Sequence, residues 1–128
     1  MHWAGKNSPE IISLARNRKL SRRNQSSDVY ISHNYGKTFN RITDFKLKDG
    51  SPAIISTFYI SPVVNSFYIF VAENSNCIFI TKDTGNNFQR IDLNFKPKQF
   101  LLHPTVPNFV LASSSIKYDL FMIFLYWN

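Results

Sequence analysis

An all-β fold built from repeated four-stranded units is what this sequence predicts, and three observations carry the prediction. The chain has 12 Phe and 6 Tyr among many Ile, Val and Thr, residue types that pack well on pleated, half-buried surfaces. Two stretches read alike at a spacing of 49 residues, from Ile31 to Ile80. A proline-containing turn followed by an apolar run ending in Ala recurs at Ser8-Pro9 to Ala15, Ser61-Pro62 to Ala72 and His103-Pro104 to Ala112. A period near 50 is the mark of a propeller or another stacked array, so the expected fold is a β-propeller fragment.

Residues 29–42, VYISHNYGKTFNRI, lie over residues 78–91, IFITKDTGNNFQRI, with Ile31, Gly36, Phe39, Arg41 and Ile42 matching Ile80, Gly85, Phe88, Arg90 and Ile91. The second unit shows the order best. Strands are expected at Ile54 to Ile60, Phe67 to Ala72, Cys77 to Thr81 and Phe88 to Leu93, and four short antiparallel strands make one propeller blade. Blade one then covers about residues 1–47, blade two about 52–95 and the start of a third about 98–112, with a divergent hydrophobic tail over 113–128. The first strand of a blade lies innermost, which puts Ile54 to Ile60 and Gln99 to His103 at the lumen.

The tight turns have the form Ser/Thr-x-Asp/Asn-x-Gly-x-x-Phe, carried by Ser32, Asn34, Gly36 and Phe39 and again by Thr81, Asp83, Gly85 and Phe88. The chemistry of this pattern is structural. The hydroxyl and the short carboxylate or amide can bond backbone groups within the turn, the glycine can take positive φ, and the Phe can plug the hairpin into the core. An EF-hand would need further oxygen ligands and a late Glu that neither stretch supplies.

The first unit carries an insertion between its second and third strands, which holds Arg16, Arg18, Lys19, Arg22 and Arg23. That cluster reads as a solvated loop or as a contact for an acidic ligand. No stacking platform or nucleic-acid module accompanies it, so the formal charge of +7 does not imply nucleic acid. Asn24-Gln25-Ser26 is a glycosylation sequon, meaningful in a secretory context. The single cysteine, Cys77, excludes an internal disulfide and a multi-cysteine zinc site, and its setting in Cys77-Ile78-Phe79-Ile80 reads as a buried strand residue. His2, His33 and His103 show no metal-ligand spacing. Neither metal nor any other cofactor is expected. The N-terminal residues lack an apolar signal core, and the run Leu120 to Trp127 is too short for a membrane helix. As written, the chain is expected to be neither secreted nor anchored.

Beyond the boxes, the chain resembles the propeller of the sortilin family, the vacuolar-protein-sorting "Vps-ten" domain. The resemblance rests on His2-Trp3-Ala4-Gly5, Leu14-Ala15-Arg16, Ser26-Ser27-Asp28-Val29-Tyr30-Ile31-Ser32, Tyr35-Gly36-Lys37-Thr38-Phe39, Phe58-Tyr59-Ile60-Ser61-Pro62, Tyr68-Ile69-Phe70 and Leu101-Leu102-His103. It implies a fragment of a ten-bladed propeller from a membrane receptor of Golgi, endosome and cell surface, whose partners are protein or peptide ligands. Three departures stand beside it. Asn34 replaces the box Asp, residues 113–128 contain neither the glycine nor the box spacing, and the family's signal peptide, cysteine-rich stalk, membrane span and sorting tail are missing. These departures read as an internal methionine at Met1 and a foreign tail after about Ala112.

Three function classes follow. The first is a ligand-binding portion of a receptor ectodomain, with no reaction catalysed. The second is a truncated or splice product without function. The third is a sialidase-like glycoside hydrolase, which would need arginines gathered at the lumen with a general acid and a nucleophile. Here most arginines crowd one stretch and the eight acidic residues are scattered.

Overall fold

The computed structural model describes residues 2–3, 8–17, 26–114 and 120–124, which form eleven strands in three sheets and no helix. Sheet one runs β1 (His2–Trp3), β2 (Ile11–Asn17), β3 (Ser26–Ser32) and β4 (Asn40–Arg41). Sheet two runs β5 (Ile55–Ile60), β6 (Tyr68–Ala72), β7 (Cys77–Thr81) and β8 (Gln89–Asp92). Sheet three runs β9 (Pro97–Leu102), β10 (Phe109–Ser114) and β11 (Leu120–Phe124). Strands consecutive in the chain are neighbours in each sheet and pair antiparallel, the meander of a propeller blade.

The sheets stack, and burial along the strands shows how. Every residue of β6 and β7 is buried, because their near-continuous apolar runs, YIFVA and CIFIT, are covered on both faces. By contrast β10 alternates half-buried with buried, the period of a strand covered on one face. One core joins sheets one and two: Ile12, Val29 and Ile31 meet Ile55, Tyr68, Phe70, Ala72, Cys77 and Phe79. The other joins sheets two and three, where Phe67, Ile69, Val71, Ile78 and Ile80 meet Phe100, Leu102, Val110 and Ala112. Alternate side chains of β6 and β7 thus serve opposite cores. The connection between sheets one and two contributes Phe45, whose ring lies 5.0–5.1 Å from Phe70, Phe79 and Phe88 in tilted and edge-on geometry.

The expected break with the repeat at residue 113 takes a different form. β10 continues through Ser114, and Leu120–Phe124 forms a third strand with Ala112 opposite Phe121 and Leu111 opposite Met122. This places Leu120, Phe121 and Met122 where sheet two has Ile78, Phe79 and Ile80. Phe121 stacks on Phe95 at 4.1 Å, and Ile123 packs against the second core. A strand requires an apolar alternation and an edge to pair with, and the box is not needed for either.

Candidate functional site

The two boxes have one geometry. The Ser32 hydroxyl accepts hydrogen bonds from the amides of Asn34 (3.3 Å) and Gly36 (2.8 Å) and donates to Asn34 Oδ1 (2.9 Å). Thr81 Oγ1 likewise accepts from Asp83 N (3.4 Å) and Gly85 N (3.0 Å) and donates to Asp83 Oδ1 (2.8 Å). Asn34 Oδ1 then accepts from Thr38 N and Asp83 Oδ1 from Asn87 N, both at 2.9 Å. Each loop is therefore closed on itself by one hydroxyl and one short polar side chain. Burial alone would raise the Asp83 carboxyl, but hydrogen bonds from the side chain and amide of Asn87 and from Thr81 hold it below its ordinary value.

Sequence reasoning missed a second feature of the box. The residue before each glycine also has positive φ, 62° at Tyr35 and 58° at Thr84, ahead of 88° at Gly36 and 92° at Gly85. The turned-out amides reach the neighbouring turns, Tyr35 N to Pro9 O at 2.9 Å and Thr84 N to Ser66 O at 3.1 Å. The glycine has a packing role as well as a conformational one: a methyl at Gly85 would overlap Ile31 Cδ1 of sheet one.

Two placements differ from expectation. Phe88 packs against the first core, 5.0 Å from Phe45, but Phe39 is 36% exposed. The box Phe points toward the preceding sheet, and among the described residues no sheet precedes sheet one, so Phe39 is left partly exposed. Arg16 is not in the inserted loop. It is in β2, opposite Ser27, on the same face as Ile12 and Leu14, and its guanidinium pairs with Glu73 at the turn between β6 and β7. The Lys96 ammonium also donates to the Glu73 carbonyl. Arg16 is thus an interblade fastener. The period-two alternation from Ile12 through Leu14 was the signal that could have placed it. Arg18, Lys19, Arg22, Arg23 and Asn24 lie outside the described residues.

Several other polar groups pair locally. Arg41 pairs with Asp28 at 3.0 Å and Arg90 with Asp92 at 3.3 Å, so each of the three described arginines has its own acidic partner. Among the described residues no group of three His, Cys, Asp or Glu could hold a metal ion. Cys77 is fully buried and desolvation pushes its thiol up, away from the reactive thiolate. His33 lies 3.7 Å from Glu10. His103 Nδ1 accepts from the amides of Thr105 (3.1 Å) and Val106 (2.9 Å), as Ser61 Oγ does from Val63 and Val64, both at 3.2 Å. One turn form, with proline after its first residue, thus uses either side chain as acceptor.

The strands expected at the lumen, β5 and β9, are edge strands of their sheets. Lys98, Gln99 and Leu101 of β9 are exposed. Two open depressions, of about 400 and 610 Å³, share Leu101 and Leu111 on the outward face of sheet three.

The sequence that forms these strands and box turns matches a known family. Residues 27–121 match the Sortilin-Vps10 family model, described as sortilin, neurotensin receptor 3. The chain belongs to the sortilin (Vps10) family. It is 40% identical over 115 residues to the human sortilin-related receptor and 39% identical to the mouse one, each match covering 88% of this chain and 5% of the receptor. It is 30% identical over 118 residues to the mouse VPS10 domain-containing receptor SorCS1, covering 89% of this chain and 10% of that one. The chain thus spans about a twentieth of the sortilin-related receptors it matches, and its three sheets are part of a Vps10 β-propeller. These relatives are named as receptors. No helix among the described residues is long and apolar enough to cross a membrane.

Proposed function

We propose that this chain is a portion of a sorting-receptor ectodomain that binds protein or peptide ligands for traffic between Golgi, endosomes and cell surface, and that it catalyses no reaction. The observation that supports this reading most is the family match over residues 27–121, which runs through all three sheets. The edge strands β5 and β9 are the segments offered to an extended peptide, whose backbone can add to a free sheet edge. Arg18, Lys19, Arg22 and Arg23 supply a basic stretch of sequence suited to an acidic ligand segment, Asn24 is its glycosylation acceptor, and the box residues act as turn closures rather than ligand contacts. In this reading residues 1–112 hold two blades and the start of a third, and the stretch from 113 departs from the family in lacking a box while still supplying a strand.

Neurotensin, named in the description of the matching family, is the first probe. The account expects saturable calorimetric binding to the folded chain, weakened by glutamine at Arg18, Lys19, Arg22 and Arg23. No heat for neurotensin or an acidic peptide panel with the folded chain would remove the receptor reading. It would favour a product without binding function, a reading supported by the missing box in residues 113–128.

A further inference from the structure

Asp49-Gly50 is the one place in the sequence where an acidic or amide side chain directly precedes glycine, and the fold sets it at the tip of a tight turn. The turn lies in the connection between sheets one and two. Its base is held by the bridge of Lys46 with Pro52 and by Ala53 N to Phe45 O at 3.0 Å, and Phe45 and Ala53 are buried in the core that joins the two sheets. Its tip is closed by Leu47 N to Ser51 O at 2.8 Å and Gly50 N to Leu47 O at 2.9 Å. Gly50 has a φ of 86°, and beyond its chain neighbours no described atom comes within 4 Å of where its Cβ would stand. Nothing therefore screens its backbone from the carboxyl before it.

A glycine amide nitrogen can attack the side-chain carbonyl carbon of the residue before it. Here the bond from Gly50 N to Asp49 Cγ forms and a Cγ–O bond breaks, and the hydroxyl leaves with the amide proton as water. Water then adds at the main-chain carbonyl carbon of Asp49 and breaks its bond to Gly50 N, so the chain runs on through Cβ and Cγ. One water leaves and one enters, and nothing is oxidised or reduced. The first step needs a protonated carboxyl and a free amide, and the closed turn withholds both. The Gly50 N–H is donated to Leu47 O, and Asp49 Oδ1 accepts from Ser51 N at 3.0 Å and from Ser51 Oγ at 2.5 Å. The Ser51 side chain and amide hold the carboxyl below its ordinary value, in the ionised form that has no hydroxyl to lose.

We propose that Asp49 is a site of spontaneous isomerisation to isoaspartate, held back in the folded chain by Ser51 and Leu47 and released when the turn opens. The product adds one backbone carbon, about 1.5 Å of chain, between Leu47 and Gly50. The two bonds that close the tip then lose their register. Phe45, packed 5.0–5.1 Å from Phe70, Phe79 and Phe88, stands two residues before Leu47, so the modification loosens the plug between sheets one and two.

The test is to age the 128-residue chain at neutral pH and body temperature, folded and in urea, and to map its peptides by a fragmentation that tells aspartate from isoaspartate at position 49. Isoaspartate should accumulate about tenfold more slowly in the folded chain than in the unfolded one, because the turn must open first. Ser51→Ala frees the carboxyl without touching the buried base. It should speed the folded chain several-fold, while variant and parent age alike in urea. Equal rates for the folded and unfolded parent overturn the proposal, and that comparison is independent of any effect of the substitution on folding. Ageing of folded Ser51→Ala at the parent's folded rate overturns it as well, as does the absence of isoaspartate at position 49 in both states.

Discussion

Sheets two and three contain the same strand order and similar residues, yet one is closed on both faces and the other on one. In sheet two, Tyr68, Phe70 and Phe79 face one neighbour while Ile69, Ile78 and Ile80 face the other, and all are at most 2% exposed. In sheet three, Val110 and Ala112 are as deeply buried, but Leu101 and Leu120 on the opposite face are 67% and 66% exposed. A blade alone therefore buries nothing on its own account; its burial comes from its neighbours, as in other stacked repeats. The depressions at Leu101 and Leu111 are hollows on a sheet face that no described residue covers.

The largest effect that separates the two sheets is core truncation. Phe79→Ala should cost about 3–5 kcal/mol because it empties a fully packed site, whereas Leu101→Ala, on the open face, should lie within about 0.5 kcal/mol of the parent. Urea unfolding of both variants measures the difference, and equal costs would break the comparison. The next effect compares the boxes. Alanine at Gly36 and at Gly85 meets the same positive φ, but the new methyl meets Ile11 at 3.3 Å in one case and overlaps Ile31 of the adjoining sheet in the other. Gly85→Ala should exceed Gly36→Ala by about 1–3 kcal/mol, the usual cost of overpacking, and the added Ile31→Val change should narrow the gap.

The smallest effect is a pH dependence. Asp83 has a folded-state value below 3.8, its ordinary one, so the stability it adds is present above that value and lost as pH falls through it toward the folded one. Asn34 occupies the same place in box one with no titrating group. Acid unfolding of the Asp83→Asn variant should therefore begin at lower pH than that of the parent, and an unchanged acid limb would show that the box carboxylate adds nothing.

Much of this was legible in the sequence because the relevant signals are local. The apolar runs of β6 and β7 and the hydroxyl, carboxamide and glycine of each box announce themselves within a few residues, and β7 spans Cys77 to Thr81 as expected. What escaped depends on partners distant in sequence. Phe39 and Phe88 are identical in the pattern, and what separates an exposed ring from a packed one is whether a preceding sheet lies among the described residues. Arg16 was grouped with its basic neighbours in sequence, whereas its partner, Glu73, is 57 residues away. β11 was hidden because the box had served as the marker of the repeat, and the strand persists without it. The positive φ of Tyr35 and Thr84 had no signal in residue type, since neither is a residue that favours it.

Residue-resolved amide exchange tests most directly whether blade two is held by its two neighbours. The account predicts that the slowest amides are those of β6 and β7, with β10 faster and β11 fastest. Protection in β10 and β11 equal to that in β6 and β7 would contradict it.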